Sequence, residues 1–213
     1  MIKPVSVLYK PRKLSYGGIN LEVQGFTPAQ FIYFTEEIAA KKMSAWRPRG
    51  VVLHCTAQPD LKTWDEDKPK RGIDEVQRIA NMMPRWANAG FKASPHLFID
   101  REEIWTATPL WRKGTHAKSF NATYWGIEIV GDFTRETLSD GQRDLVVTAA
   151  AALYAMIGHE PTPQNLKYHR EEPRAFKPCP GNIGPKEWWD KAIEQRMAEL
   201  FPGDDYRPGL TRA

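Results

Sequence analysis

The sequence predicts a single α/β domain with a central, largely buried mixed sheet and helices on both of its faces. From Arg49 onward, short apolar runs of strand length alternate with longer stretches of helical periodicity, the order in which α/β domains are written. Gly, Pro and polar clusters bound these runs and separate the elements. Hydrophobic residues make up 41% of the 213 positions and aromatics 11%, enough for a sizeable core, which excludes a globally disordered chain.

Taken in order, residues 1–48 read as an irregular start followed by one helix. Thr27 is its expected N-cap, Pro28 its first residue, and Phe31, Ile32, Phe34, Ile38 and Ala39 its apolar positions. This extension is expected to pack on a main domain spanning 49–200, with 201–213 as a flexible tail. Arg47-Pro48-Arg49-Gly50 marks a break, and RGVVLHCT (49–56) reads as a buried strand. Residues 73–90 have helical character, with Pro84 expected to end or kink the helix near its middle. Pro95–Asp100 and Ile104–Ala107 are expected to form a hairpin around Arg101-Glu102-Glu103. YWGIEIV (124–130) is the next strand. Ser139 and Gln142 match a capping box that opens an Ala-rich helix stopped by Gly158. Pro185 opens a last helix with Trp188, Trp189, Ile193, Met197 and Leu200 along its apolar stripe. No repeat or low-complexity tract interrupts the pattern.

Bulk properties narrow the function only a little. A net charge of +4, with acidic and basic residues interspersed, suits an ordinary solvated surface or attraction to an anionic polymer, and does not choose between them. No aromatic-basic interleaving on a nucleic-acid-binding fold is visible, so nucleic acid is not an expected partner. Two cysteines, Cys55 and Cys179, are too few for a disulfide scaffold and are read as reduced thiols, with one structural disulfide as the other reading. The N-terminal MIKPVSVLYKPRK lacks the apolar core of a signal peptide, and no run has the length of a membrane span. Synthesis in the cytoplasm, no integral membrane association and a monomer are the expectations.

The chemistry-bearing residues are five histidines and the two cysteines. Catalytic zinc typically takes three nitrogen or sulfur ligands and keeps one position open. His54 ends the strand VVLH, where a side chain can leave the sheet edge for a cleft. His169 and Cys179 flank HREEPRAFKPC, a stretch stiffened by Pro173, Pro178 and, just beyond it, Pro180. Composition alone equally allows triples containing His96 or His116, and a lone histidine at a strand end is more often an ordinary satisfied polar residue.

Six segments then occur in one order: VVLHCTA, SPHLFIDREEIWTATP, GTHAKSFN, WGIEIVGDF, YHREEPRAFKPCPG and EWWDK. In that order they resemble the type 2 N-acetylmuramoyl-L-alanine amidases, a family that includes phage lysozyme-type amidases, a cytosolic muropeptide-recycling amidase and the peptidoglycan recognition proteins. The resemblance runs from Arg49 to Lys191. It implies one catalytic zinc ion held by His54, His169 and Cys179, and so selects this triple over the rivals. It implies hydrolysis of the amide bond between N-acetylmuramic acid and L-alanine, with peptidoglycan or a muropeptide as substrate.

Within the resemblance, Glu128 matches the strand glutamate that the recycling branch uses as general base. Its place in YWGIEIV also sets it, by twofold alternation, with Gly126 and Val130 and opposite Trp125, Ile127 and Ile129. Lys177 matches a lysine near the metal, suited to stabilising an oxyanion. His116 aligns with the cleft wall and, with Thr115 and His96, is expected to bind substrate; the His96 ring is also read as lying behind the site or in the core. His159 is expected at the surface. Many relatives carry a catalytic tyrosine where this chain has Pro95. That vacancy points toward a binding-only recognition module. With no export signal before the region of resemblance and no wall-binding repeat after it, a compact phage or prophage endolysin is the expectation, with a recycling amidase or the binding-only module as alternatives.

Overall fold

The structure is a computed structural model and describes residues 8–175 and 178–203, the side chains of 68–71 aside. Among the described residues seven strands form a mixed sheet in the order β1-β2-β5-β4-β6-β3-β7. They are β1 (Arg12–Tyr16), β2 (Ile19–Phe26), β3 (Gly50–Cys55), β4 (Leu97–Ile99), β5 (Ile104–Thr106), β6 (Tyr124–Ile129) and β7 (Leu166–Tyr168). The helices are α1 (Pro28–Phe34), α2 (Ala40–Lys42), α3 (Leu61–Arg71), α4 (Glu75–Asn88), α5 (Asp140–Ile157) and α6 (Lys186–Leu200).

The start of the chain departs from the expected irregular segment. β1 and β2 form a hairpin, with Tyr16 opposite Ile19, and β2 continues the sheet by pairing antiparallel with β5. The two residues between them, Gly17 and Gly18, both have positive φ, the conformation that a two-residue hairpin turn of the favoured hand requires. Ile19, Leu21 and Val23 are buried while Asn20 is exposed, so the hairpin obeys the same twofold pattern as the rest of the sheet. The expected helix follows. Thr27 and Gln30 close a complete capping box ahead of Pro28, and a π-helical stretch, Thr35–Ala39, joins α1 to α2.

Two helical expectations also change. α4 runs from Glu75 to Asn88 straight through Pro84. Proline removes a single backbone donor, while Ile79, Met82 and Met83 are buried by packing that a break would undo. α3 has no counterpart in the expected pattern, because Leu61 and Trp64 are its buried apolar residues in a sequence otherwise dominated by charge. β7 was not expected either. Its strand character comes from pairing with β3.

The sheet separates two apolar layers. On one face Val51, Leu53, Trp125, Ile127 and Ile129 pack with α1, α5 and α6. On the other, Ile19, Leu21, Val23, Phe98, Trp105 and Val130 pack under α3 and α4. α5 is capped as expected at Ser139 and Gly158, the latter left-handed. The side chain of Gln142, however, does not complete a capping box. It is buried and donates to the carbonyls of Ile99 and Val130, tying the helix start to the ends of β4 and β6. In α6 Trp189 and Ile193 are buried and Trp188 is partly exposed, with Arg143 over its ring. No helix among the described residues is long and apolar enough to cross a membrane.

Candidate metal centre

β6, β3 and β7 are neighbours and run parallel, so their carboxyl ends make one edge, the usual place for a site in an α/β sheet. The register sets His54 of β3 beside Glu128 of β6 and Leu53 beside Tyr168 of β7. His169 follows Tyr168 at once and opens a short 3-10 turn, His169–Glu171. Three strands spaced ~4.8 Å apart thus deliver Glu128, His54 and His169 in one row. Twofold alternation turns His54 and Glu128 away from the α5 layer, because Leu53 and Ile127 occupy that side.

Cys179 reaches the row from the loop after β7. The amide of Arg170 donates to its carbonyl (2.9 Å), and the Arg170 guanidinium donates to Gly181 O (2.9 Å). Gly181 has φ +79°, and a Cβ there would stand 2.5 Å from the Phe133 backbone. Pro-Gly at 180–181 is therefore what lets the loop lie against Phe133 and hold Cys179 beside His169. The amide of Cys55 donates to the Cys179 sulfur (3.3 Å). Neither cysteine is in a disulfide.

His54, His169 and Cys179 form the metal-compatible cluster found among the described residues, with one ligand atom from each within 4.8 Å of the others. Two imidazoles and a thiolate are a donor set that zinc favours, and donors around a tetrahedral zinc are separated by ~3.5 Å, so these residues fit such an ion. His54 is 1% exposed, and burial, then His116 and His169, hold its pKa well below the ordinary value. Its imidazole is therefore neutral. The hydrogen bond with Cys55, burial and the Glu128 carboxylate push the Cys179 thiol up. Glu128 lies with Oε1 3.7 Å from His54 Nδ1.

These groups sit at one side of a cleft. Glu128, His116, His169, Cys179, Cys55 and Ala57 line it, together with Arg85 and Trp86 of α4 and Phe91 just beyond that helix. Asp132, Thr134 and Pro178 line it as well. Arg85, Trp86, Phe91, Asp132 and Thr134 were not foreseen. Trp86 and Phe91, close together at a helix end, were the available signal, with Phe91 39% exposed.

The other expected site residues divide between the cleft, the core and the surface. His116 lines the cleft. His96 does not touch it: the ring is fully buried, accepts from the Gly126 amide through Nδ1 (3.0 Å), faces Arg112 O with Nε2 (2.9 Å) and stacks on Trp46. A substrate contact is thereby replaced by a structural tie between strands and loop. Burial lowers the His96 pKa to about 4. Thr115 is half-buried, with its amide donating to Ser94 O (3.0 Å), and is not among the residues facing the cleft. Pro95 is buried, so no side-chain hydroxyl reaches the cleft from that position. Lys177 lies outside the described residues. His159 is exposed, beside Arg49 O.

A sequence model described as N-acetylmuramoyl-L-alanine amidase matches residues 44–182. The chain belongs to this family. Among solved structures it is similar to the N-acetylmuramoyl-L-alanine amidase LysC from Clostridium intestinale URNW, with 21% identity over 70% of this chain and 86% of LysC, at a TM-score of 0.54. It is also similar to AmpD, as a selenomethionine derivative (22% identity, 69% of this chain, 84% of AmpD, TM-score 0.49). A third likeness is to Drosophila PGRP-LB (18% identity, 80% of this chain, 88% of that one, TM-score 0.48). At such identities the LysC match speaks for the fold. No curated protein matches the chain in sequence. The cluster of His54, His169 and Cys179 lies within the matched span.

Proposed function

We propose that the protein is a zinc-dependent hydrolase that cleaves the amide bond between N-acetylmuramic acid and L-alanine in peptidoglycan. The observation that carries this is the convergence of His54, His169 and Cys179 within 4.8 Å, with the Glu128 carboxylate 3.7 Å from His54. A bound zinc ion supplies Lewis acidity, polarising the scissile carbonyl and making water nucleophilic near neutral pH.

The remaining work falls to the chain. Glu128 takes a proton from water at its carboxylate and returns it to the departing amide nitrogen, the role of a general base that becomes a general acid. Its position on β6, beside His54, sets it next to the metal position. Lys177, two residues before Cys179, is the proposed stabiliser of the oxyanion that develops on the carbonyl oxygen. Trp86 and Phe91 offer apolar surface along the cleft, and Arg85 offers a cation to the carboxylates of a peptide stem.

A second reading, a module that binds wall fragments without cutting them, draws support from Pro95 standing where many relatives carry a tyrosine. Incubating zinc-loaded protein with purified sacculi and, separately, with soluble anhydro-muropeptide tests both. Release of peptide with a free L-alanine amine, seen by mass spectrometry, is the expected outcome. Binding to either substrate without release would overturn the hydrolase reading. The same pair of substrates addresses setting: preference for sacculi fits a phage or prophage endolysin acting on the wall after release, and preference for the soluble fragment fits a recycling enzyme.

A further inference from the structure

His116 carries more anchoring than a residue that only meets substrate requires. Its backbone amide donates to Asn121 Oδ1 (2.8 Å), as does that of Ala117 (2.8 Å). Its side chain packs against Gly126 of β6, where a Cβ would come 2.4 Å from His116 Cγ. Both ring nitrogens are used inside the protein. Nε2 stands 3.1 Å from the carbonyl oxygen of Tyr124, and Nδ1 stands 3.0 Å from Nε2 of His54.

Those two distances fix protons. A carbonyl oxygen only accepts, so His116 Nε2 must carry hydrogen and donate. An imidazole that carries its hydrogen on Nε2 has a lone pair on Nδ1, the atom that faces His54 at 3.0 Å. That lone pair accepts from His54 Nε2–H. The His54 ring, itself neutral, is left with its lone pair on Nδ1.

We infer that His116 is a positioning residue that fixes the tautomer of His54, through the chain Tyr124 C=O, His116, His54, so that Nδ1 is the atom His54 presents to a metal. This rests on the metal-centre reading above. It also revises the expected role of His116: with both nitrogens committed, the ring meets the cleft as a wall, without a hydrogen bond to offer. Gly126 becomes part of the device, since any side chain there would displace the ring.

The experiment records long-range 1H–15N spectra of 15N-histidine-labelled protein, metal-free and zinc-loaded, alongside zinc affinities from chelator competition. In the metal-free wild type His54 is expected as the Nε2–H tautomer. His116→Phe removes the acceptor, so His54 should become a tautomer mixture and zinc affinity should fall about 10–100-fold, the usual cost of losing the partner behind a ligating histidine. His116→Gln carries both an acceptor and a donor and should recover most of the affinity and the single tautomer. A wild-type His54 found as Nδ1–H would overturn the inference, whether or not any variant folds. So would an unchanged tautomer and affinity in His116→Phe. The metal-free spectrum is independent of hydrolysis, so a failure of the amidase reading leaves this result interpretable.

Discussion

On the α5 side of the sheet, Val51 and Leu53 of β3 stand beside Trp125 and Ile127 of β6, each with no exposed surface. On the other side, from the same two strands, Val52, His54, Gly126 and Glu128 stand in the same kind of row. The first face is a dry layer whose residues are interchangeable in chemistry and fixed in volume. The second, Val52 apart, is a set of groups whose identities are fixed by what each must donate, accept or leave room for. A strand that alternates at period two can therefore devote one face to cohesion and the other to chemistry. Substitutions on the two faces should fail in different ways.

The sharpest break lies on the polar face. His54→Ala and Cys179→Ala should lower zinc content from one ion per chain to near zero and turnover to background together, measured by metal analysis and peptide release on the same samples. A thermally stable variant that keeps zinc would remove that residue from the ligand set. Glu128→Gln should separate what those variants join: zinc is retained while turnover falls by about 10²–10⁴-fold, the range for loss of a general base. Full activity of this variant on sacculi would take Glu128 out of the mechanism.

The apolar face should respond through stability alone. Leu53, next to His54 but pointing the opposite way, is fully buried. Leu53→Ala should cost about 2–5 kcal/mol of unfolding free energy, the transfer term plus the cavity left behind. In folded protein its zinc affinity should be unchanged. Denaturant unfolding and chelator competition on one preparation read both quantities, and a lost zinc affinity at full folding would show that the two faces are not separable.

How far this division could be read in advance varies by element. Twofold alternation in YWGIEIV put Glu128 with Gly126 and opposite Ile127, and the structure has that arrangement. The end of VVLH was legible as a place where a side chain leaves the sheet. What composition could not do was choose among His54, His96, His116, His169 and the cysteines, because the choice depends on which strand lies beside which. β7 is three residues long and exists through its pairing with β3, so no local pattern reveals that His169 will line up with His54. The N-terminal hairpin was legible and missed: Gly17-Gly18 between Tyr16 and the alternating Ile19, Leu21 and Val23 is a hairpin signal. α3 was not legible, since a helix with two buried apolar side chains lacks a stripe. His96 shows a further limit. The sequence allows both a substrate contact and a core position for its ring, and only the structure decides for the core, because its partners, the Gly126 amide and Arg112 O, are backbone groups that any sequence would supply.

His96 also gives the smallest and most selective test, because it is polar and buried on the chemical face yet has no place in the chemistry. In an unfolded chain its imidazole titrates near the ordinary 6.5; in the folded protein burial holds that value at about 4. As pH falls from 6.5, the unfolded chain takes up a proton that the folded protein refuses, so unfolding is favoured increasingly until about pH 4, where both states are protonated and the loss from this group stops. The difference corresponds to about 3 kcal/mol. His54 and His116 add losses of the same sign, so the informative quantity is a difference between two proteins. His96→Gln should be less stable than wild type at pH 7, since one amide replaces two well-placed ring nitrogens and the stack on Trp46. Between pH 7 and pH 4, however, its stability should fall by about 3 kcal/mol less than that of wild type. Parallel stability curves across that interval would mean that His96 takes up its proton in the folded state as readily as in the unfolded one, and that the back of the cleft is wetter than its packing implies.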